Sequence, residues 1–192
     1  MEKIDSGQQV KTFALPDNKK IKIYVLTGPE STGKSTLSDM LAKHYSTNFV
    51  KEYAREYLEN LSTPYTFADV IKMAEIQHQN EKKATKKLEK IIFLDTDLTV
   101  FKVWIKAKYN QEIDWINKEI EQGIDKIYLL CNIDLPWISD PLREHPNIND
   151  RKRIFKQYIE LMNEYHMNYH IISGDMETRI NQCLTIIDKS NS

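Results

Sequence analysis

Five short runs rich in apolar and β-branched residues recur along the chain, separated by longer segments whose apolar residues follow helical spacing. Runs of this length bounded by polar residues are typical of buried strands. They predict strands at residues 21–27, 48–52, 91–94, 127–131 and 169–172. The helical spacing predicts helices at residues 35–44, 53–61, 66–88, 96–109, 113–122, 151–165 and 176–187. Strands that alternate with helices in this way indicate an α/β fold with a five-stranded parallel sheet covered on both faces.

The chain divides into a short leading segment and one domain. Residues 1–20 are polar and turn-rich, and we interpret them as an N-terminal extension. Residues 21–192 have the length of a single domain. In parallel sheets the ligand lies at the carboxyl ends of the strands. We therefore expect Thr27, Glu52 and Asp95 to lie along one rim of the sheet.

The segment from Gly28 to Ser35 fits the phosphate-binding pattern G-x-x-x-x-G-K-[ST], and it follows a predicted strand and opens a predicted helix. Its two glycines let the backbone curl so that N–H groups face phosphate oxygens, and the helix start adds a partial positive charge. Lys34 has the reach for the β- and γ-phosphates, and the Ser35 hydroxyl is a ligand for Mg²⁺. The predicted nucleotide-binding residues are Gly28, Pro29, Glu30, Ser31, Thr32, Gly33, Lys34, Ser35 and Thr36.

The charge and the apolar content of the sequence argue against nucleic acid and membranes as binding partners. The formal net charge of −1 gives no electrostatic basis for binding nucleic acid or an anionic membrane. No apolar run approaches the ~18 residues of a membrane span, and the N-terminus has no signal-peptide core, so we expect a cytoplasmic protein with two reduced cysteines. Residues 132–135 do not spell the N-K-x-D pattern of guanine-specific GTPases, which favours ATP. The sequence carries no signal for an oligomeric state.

Two acidic residues follow predicted strands. Asp95 comes directly after four apolar residues, the position of an acid that holds Mg²⁺ beside a P-loop, although an N-cap of the next helix has the same appearance. For Asp97, stabilising that helix start is as good an interpretation as chemistry. Glu52 closes the second strand, where a carboxylate can accept hydrogen bonds from an acceptor's hydroxyl groups or take a proton. Arg55 shares its face of the next helix, and the alternative for this pair is a solvated surface ion pair.

The proline-rich loop over residues 135–150 follows the fourth strand, where many P-loop kinases close a small lid. Arginines in a lid neutralise charge on the transferring phosphoryl group. Arg143, Arg151 and Arg153 are the candidates here, and a solvated basic helix start is the alternative. Trp137 in the same loop is either a core residue or a stacking platform.

Taken together, four blocks resemble the ribosylnicotinamide kinase domain of NadR-type proteins. They are the P-loop, the run Glu52-Tyr53-Ala54-Arg55-Glu56-Tyr57, the pair Asp95-Thr96, and Asp134-Leu135-Pro136-Trp137 with Asp140 and Arg143. The resemblance runs from about residue 21 to the C-terminus. It implies an adenylate-kinase-like P-loop fold that phosphorylates the 5′-hydroxyl of nicotinamide riboside with ATP and Mg²⁺, giving nicotinamide mononucleotide in NAD biosynthesis.

The chain departs from that family in two places. The familiar bifunctional members carry an adenylyltransferase domain ahead of the kinase, whereas only about 20 residues precede the first strand here, without an H-x-G-H motif. We therefore expect kinase activity alone. Asp140-Pro141 stands where the family has Asp-Gly, at the hinge of the lid.

The chemistry of the implied acceptor suggests roles for further residues. Its pyridinium ring is a cation, which tryptophan faces attract by ~0.5–2 kcal/mol per contact, and Trp104 and Trp137 are the candidates, with a core position as the alternative for both. Lys34 would hold the β- and γ-phosphates, Ser35 and Asp95 the Mg²⁺, and Arg143 and Arg151 the moving phosphoryl group. Either Asp95 or Glu52 would orient the 5′-hydroxyl. Two other functions stay open, a kinase for another nucleoside or small alcohol and a non-kinase ATP-binding or ATPase module that regulates a partner.

Overall fold

The computed structural model of the chain describes residues 21–86, 90–123 and 125–191. Its five strands are β1 (Lys22–Thr27), β2 (Phe49–Val50), β3 (Ile91–Asp95), β4 (Lys126–Cys131) and β5 (Asn168–Ile172). The helices in the described residues are α1 (Lys34–His44), α2 (Tyr53–Glu59), α3 (Phe67–Ala84), α4 (Leu98–Tyr109), α5 (Asp114–Glu121), α6 (Ile148–Glu164) and α7 (Met176–Asn191). The predicted alternation of strands and helices is confirmed.

All five strands form one parallel sheet in the order β2-β3-β1-β4-β5. β1 is central, and its register pairs Leu26 with Asp95 of β3 and with Leu129 of β4. Every strand therefore ends at the same rim, which brings the P-loop after β1 next to the segments that follow β3 and β4.

Alternate residues of β1 face opposite sides of the sheet, and each side is covered by helices. Ile23 and Val25 pack in a core that contains Val103 of α4 and Ile154 of α6. A second core on the other face is built from Tyr24 and Leu26 of β1, Leu37 and Leu41 of α1, and Cys183 and Ile187 of α7. A third cluster joins α2, α3, α4 and α5 beside the sheet and forms the wall of the site described below.

The element boundaries differ from the sequence expectation in two instructive places. Helix α6 begins at Ile148, three residues earlier than predicted, because the Asn147 side chain accepts a hydrogen bond from the Asn149 amide at 2.8 Å and caps the helix. β2 has two paired residues rather than five, Phe49 and Val50. The predicted extension over residues 1–20 lies outside the described residues. The predicted end of α3 at Leu88 is wrong, because the helix ends at Ala84 with Thr85 as its C-cap. Among the described helices, none has both the length and the apolar character that crossing a membrane requires.

Candidate active site

The P-loop, residues 28–35, connects β1 to α1 with a backbone that only glycine fits at two points. Gly28 has φ +130°, and a Cβ there would lie 2.7 Å from the Cys131 carbonyl oxygen of β4. Gly33 has φ +81° and precedes the first residue of α1. Both positions would strain any side chain, so the glycines of the sequence pattern are required by the geometry of the loop.

A buried arginine behind the P-loop holds it in place. Arg179 of α7 is fully buried and donates to the Thr32 carbonyl at 3.1 Å, to the Asn132 carbonyl at 3.0 Å and to the Asp134 carboxylate. It thereby ties the P-loop to the segment that follows β4. No local sequence pattern indicates this role, because Arg179 lies in a helix almost 150 residues away from Thr32.

Lys34 turns back over the P-loop. Its Nζ donates to the carbonyl oxygens of Gly28 at 2.9 Å and Pro29 at 2.8 Å. The ammonium group is thus held over the loop at whose backbone N–H groups a phosphate would bind.

Asp95 lies at the end of β3 with 3% of its surface exposed. Burial raises the pKa of its carboxyl group, while a hydrogen bond with the Ser35 side chain and the charge of Lys34 act in the opposite direction. Among the described residues its Oδ1 atom has no hydrogen-bond partner. Mg²⁺ prefers a few oxygen ligands and keeps the rest of its shell as water and substrate phosphate. A buried carboxylate oxygen without a partner beside a hydroxyl group fits such an ion, and a cluster of three ligating side chains is absent from the described residues.

The N-cap of α4 is Asp97 rather than Asp95. The Asp97 side chain accepts from the backbone N–H of Thr99 at 2.9 Å. It also pairs with Lys126 at 2.9 Å and accepts a hydrogen bond from the Tyr128 hydroxyl at 3.0 Å. Asp97 is thus a structural residue. The alternative interpretation of Asp95 as the N-cap of this helix is wrong.

Glu52 lies across the rim from Asp95, just before α2. Burial raises the pKa of its carboxyl group to about 7; the charges of Lys34 and Arg55 lower it, and that of Asp95 adds to the rise. The expected partner Arg55 pairs elsewhere, with Asp140 at 2.8 Å and with Glu59 at 3.1 Å. A carboxyl group with a pKa in this range can exchange a proton near neutral pH.

A cavity extends from the P-loop to an aromatic wall. Its lining includes Lys34 and Glu52 as well as Tyr65, Trp104 and Lys108. The Trp104 indole N–H donates to the Tyr65 hydroxyl at 3.1 Å, and the two rings meet edge to face at 5.2 Å between centroids. Tyr65 and Lys108 were not predicted, since Tyr65 lies in a coil whose position depends on tertiary packing.

The lid, which we define as residues 135–147, is fastened over this cavity. The Glu30 carboxylate in the P-loop accepts from the backbone N–H groups of Glu144 and His145 at 3.0 and 3.1 Å. The hydrogen bond between His145 and Glu30 raises the pKa of His145. Lys108 pairs with Glu144 at 2.8 Å, and the Arg55–Asp140 pair holds the beginning of the lid. Contacts from the P-loop, α2 and α4 thus define a closed conformation.

Two of the three predicted arginines lie around Trp137, Arg143 in the lid and Arg151 in the first turn of α6. The guanidinium carbons of Arg143 and Arg151 lie 5.9 and 5.4 Å from the Trp137 ring centroid. Arg143 also donates to the Ser31 hydroxyl of the P-loop at 3.3 Å. Arg153 faces solvent and pairs with Asp150 at 3.3 Å. Trp137 belongs to this arginine cluster and does not line the cavity, whereas Trp104 does.

Three features define a P-loop nucleotide-binding domain: a P-loop at the end of a central parallel strand, an acid at the end of the neighbouring strand, and a lid that carries Arg143. A family profile described as an AAA domain matches residues 23–179. The chain belongs to this AAA domain family.

Comparison with curated proteins confirms the resemblance to NadR. The chain is 25% identical over 174 residues to the trifunctional NAD biosynthesis/regulator protein NadR of Salmonella typhimurium. The match covers 87% of this chain and 42% of that protein, so the chain spans less than half the length of this relative.

Solved structures share the fold. NadR protein, solved in complex with NR and in complex with NAD and AMP-PNP, superposes with TM-scores of 0.69 and 0.70 at 23% identity, over 88% of this chain and about half of each of those chains. Deoxyadenosine kinase from M. mycoides superposes with a TM-score of 0.63 at 18% identity, over 87% of this chain and 99% of that one. At these identities the likeness establishes the P-loop kinase fold.

Proposed function

We propose that the protein is an ATP-dependent kinase that phosphorylates the 5′-hydroxyl of nicotinamide riboside, giving nicotinamide mononucleotide and ADP. The observation that carries the proposal is the cavity that joins Lys34 and Glu52 to the aromatic wall of Tyr65 and Trp104 under a closed lid. The similarity to NadR, and the NR bound in a structure of that protein, point to the same acceptor.

ATP would bind with its phosphates on the P-loop backbone and Lys34, and the residues that would hold Mg²⁺ are Ser35 and Asp95. The ion, when bound, would neutralise charge on the β- and γ-phosphates. Arg143 of the lid donates to Ser31 of the same loop, Arg151 of α6 lies beside it against Trp137, and both would stabilise charge on the transferring phosphoryl group.

Glu52 is the group we assign to the acceptor's hydroxyl. The 5′-oxygen forms a bond to the γ-phosphorus, the bond from that phosphorus to the β,γ-bridging oxygen breaks, and ADP leaves. The hydroxyl proton passes to the Glu52 carboxylate, whose pKa of about 7 suits a proton acceptor at neutral pH. Asp95 would then remain with the metal, which divides the two roles between the two acids.

The aromatic wall supplies the recognition of the base. Trp104 packs against Phe101 with 6.1 Å between ring centroids and keeps part of its surface toward the cavity. Acidic and basic side chains line the same cavity together, so the aromatic face of Trp104, rather than the charge of the lining, is the feature that favours a cationic pyridinium ring.

One observation favours a second candidate, a kinase for a nucleoside with an uncharged base. The Lys108 ammonium lies 3.9 Å from the Tyr65 ring centroid and so occupies an aromatic face with positive charge. Its ion pair with Glu144 reduces this repulsion toward a pyridinium ring.

The experiment incubates the protein with ATP, Mg²⁺ and each member of an acceptor panel, namely nicotinamide riboside, adenosine, deoxyadenosine, thymidine and thymidylate, and detects phosphorylated products by mass. We expect nicotinamide mononucleotide and ADP in equal amounts, and no product from Lys34→Ala. If another acceptor is phosphorylated while nicotinamide riboside stays unmodified, the result would contradict the proposed function and support the second candidate. ATP hydrolysis that no acceptor stimulates would favour the non-kinase module.

A further inference from the structure

A buried glutamine connects the two acidic turns of the site. Gln77 of α3 is 1% exposed. Its side-chain oxygen accepts from the Tyr53 backbone N–H at 2.8 Å, and its side-chain nitrogen donates to the Thr96 carbonyl at 3.3 Å. One amide group thus bridges two backbone segments that belong to different parts of the rim.

Each of those segments carries one of the candidate acids. Tyr53 directly follows Glu52, and Thr96 directly follows Asp95. The ladder between β2 and β3 contains two pairs, Phe49 with Phe93 and Val50 with Leu94, and ends before Glu52 is reached. Strand pairing therefore does not set the distance between the turn at Glu52 and the turn at Asp95. The two hydrogen bonds of Gln77 connect these turns beyond the last pair of the ladder.

The backbone at Thr96 requires such a restraint. Thr96 has φ +73°, a left-handed conformation that is unfavourable for a β-branched residue. Its N–H donates to the Leu26 carbonyl at 3.1 Å, and its own carbonyl accepts from Gln77. Both sides of this strained peptide are held, so the direction in which Asp95 projects depends on these two hydrogen bonds.

We propose that Gln77 is a positioning residue that sets the Glu52 turn and the Asp95 turn at the separation phosphoryl transfer requires. The proposal rests on the proposed kinase function of the site. Gln77 does not line the cavity and acts through the two backbone segments that it connects. Phosphoryl transfer depends chiefly on positioning, and a displacement of about 1 Å costs up to roughly a hundredfold in rate.

The side chain at this position has to donate and accept at the same time. Glutamine does both with an uncharged amide. Methionine has a similar length and does neither, whereas glutamate keeps the acceptor for Tyr53 and loses the donor for Thr96. Gln79 on the same helix faces solvent and offers a matched control for the chemical change.

The test compares Gln77→Met with Gln79→Met in the intact chain. For Gln77→Met we expect kcat to fall by roughly tenfold to a hundredfold, with the KM for ATP within about twofold of its original value because the P-loop is untouched. Gln77→Glu should fall between the wild type and Gln77→Met. Hydrogen exchange of the Tyr53 amide should be faster in Gln77→Met than in Gln79→Met, and this readout needs no substrate.

Equal kcat values for Gln77→Met and Gln79→Met would overturn the proposal. So would a fall in kcat that disappears once the rate is normalised to the folded fraction, because unfolding lowers the apparent kcat and leaves the KM of the folded molecules unchanged. If Gln77→Met fails to fold, Gln77→Asn, which keeps an uncharged amide but is one methylene shorter, carries the test through the same comparison of kcat with KM. If nicotinamide riboside is not a substrate, the proposed acceptor fails, but the comparison is then made with the preferred acceptor and with Tyr53 exchange.

Discussion

The guanidinium group of Arg151 lies against the indole of Trp137, with 5.4 Å between Cζ and the ring centroid. Arg151 is 3% exposed, and its Nε and one terminal nitrogen have no hydrogen-bond partner among the described residues. Burial lowers its pKa, and the neighbouring charge of Arg143 adds to the effect. A buried cation with unused donors costs stability and is ready to bind anionic oxygen.

Replacing Arg151 by methionine should therefore lower the activity without lowering the stability. We expect kcat to fall by roughly a hundredfold to a thousandfold, as for other lost charge-stabilising donors. The melting temperature should stay equal or rise, because methionine removes a buried unpaired charge while retaining contact with Trp137. The exposed neighbour Lys152→Met is the control and should keep full activity. A large fall in melting temperature without loss of kcat would assign Arg151 a structural role.

The pH dependence of the reaction should reflect the protonation of the Glu52 carboxyl group. Lys34, Arg55, Asp95 and Glu30 are the charged groups that act on it, and burial dominates, which raises its pKa to about 7. A base has to be deprotonated, so kcat/KM should be constant above this pH and fall about tenfold per unit below it.

Glu52→Gln should remove that acidic limb and lower kcat by roughly 10² to 10⁴-fold. Glu56→Gln, an exposed change in the helix α2 that follows Glu52, serves as the control and should leave the profile unchanged. An acidic limb that survives in Glu52→Gln would show that another group accepts the proton.

Asp95 and Asp97 should respond to the same substitution in opposite ways. The raised pKa of Asp95 means that its charged form is disfavoured in the folded state, so above that pKa Asp95→Asn should preserve or increase stability. Its kcat should fall by at least about a hundredfold, and more Mg²⁺ should be needed for half-maximal rate. Titration of Mg²⁺ in the kinase assay measures this directly.

Asp97→Asn should instead lower the free energy of unfolding by about 3 kcal/mol, because Lys126 loses one partner of a buried ion pair. Denaturant unfolding gives this value, and ATP turnover of the folded fraction should change little. Equal stability losses for both variants would contradict the division of roles.

Substitutions of the two tryptophans should have different kinetic effects. Trp104→Leu should raise the KM for nicotinamide riboside by roughly 2-fold to 30-fold, the range expected for one lost cation–π contact, and leave the KM for ATP unchanged. Trp137→Leu removes the ring that supports Arg143 and Arg151 and should act mainly on kcat. Steady-state kinetics with each substrate varied in turn distinguishes these results, and a riboside KM unchanged in Trp104→Leu would exclude that contact.

The sequence predicted the position of the P-loop and of Asp95 better than it predicted the residues that wall the cavity. The P-loop is a contiguous motif whose glycines, lysine and serine are set by local geometry, and it lies where the pattern indicates. Asp95 is similarly marked by its place at a strand end. Tyr65 and Lys108 are brought to the cavity by the packing of α3 and α4, which no local pattern records.

Side chains that hold the site together were also missed. Arg179 and Gln77 have ordinary polar identities within helices, and their roles depend on backbone groups far away in the chain. The position of Trp137 likewise depends on the fold of the lid. The loop pattern placed it near the active edge without indicating whether it would face the cavity or the arginines.

The most direct measurement is a competition assay in which nicotinamide riboside and the other acceptors are present together at equal concentration with ATP and Mg²⁺. The ratio of products gives the ratio of kcat/KM values without separate rate measurements. We predict that nicotinamide mononucleotide exceeds every other product by at least about tenfold, the discrimination that a single favourable contact of roughly 1.4 kcal/mol supplies. A mixture in which another phosphorylated nucleoside predominates would contradict the assignment of nicotinamide riboside as the acceptor.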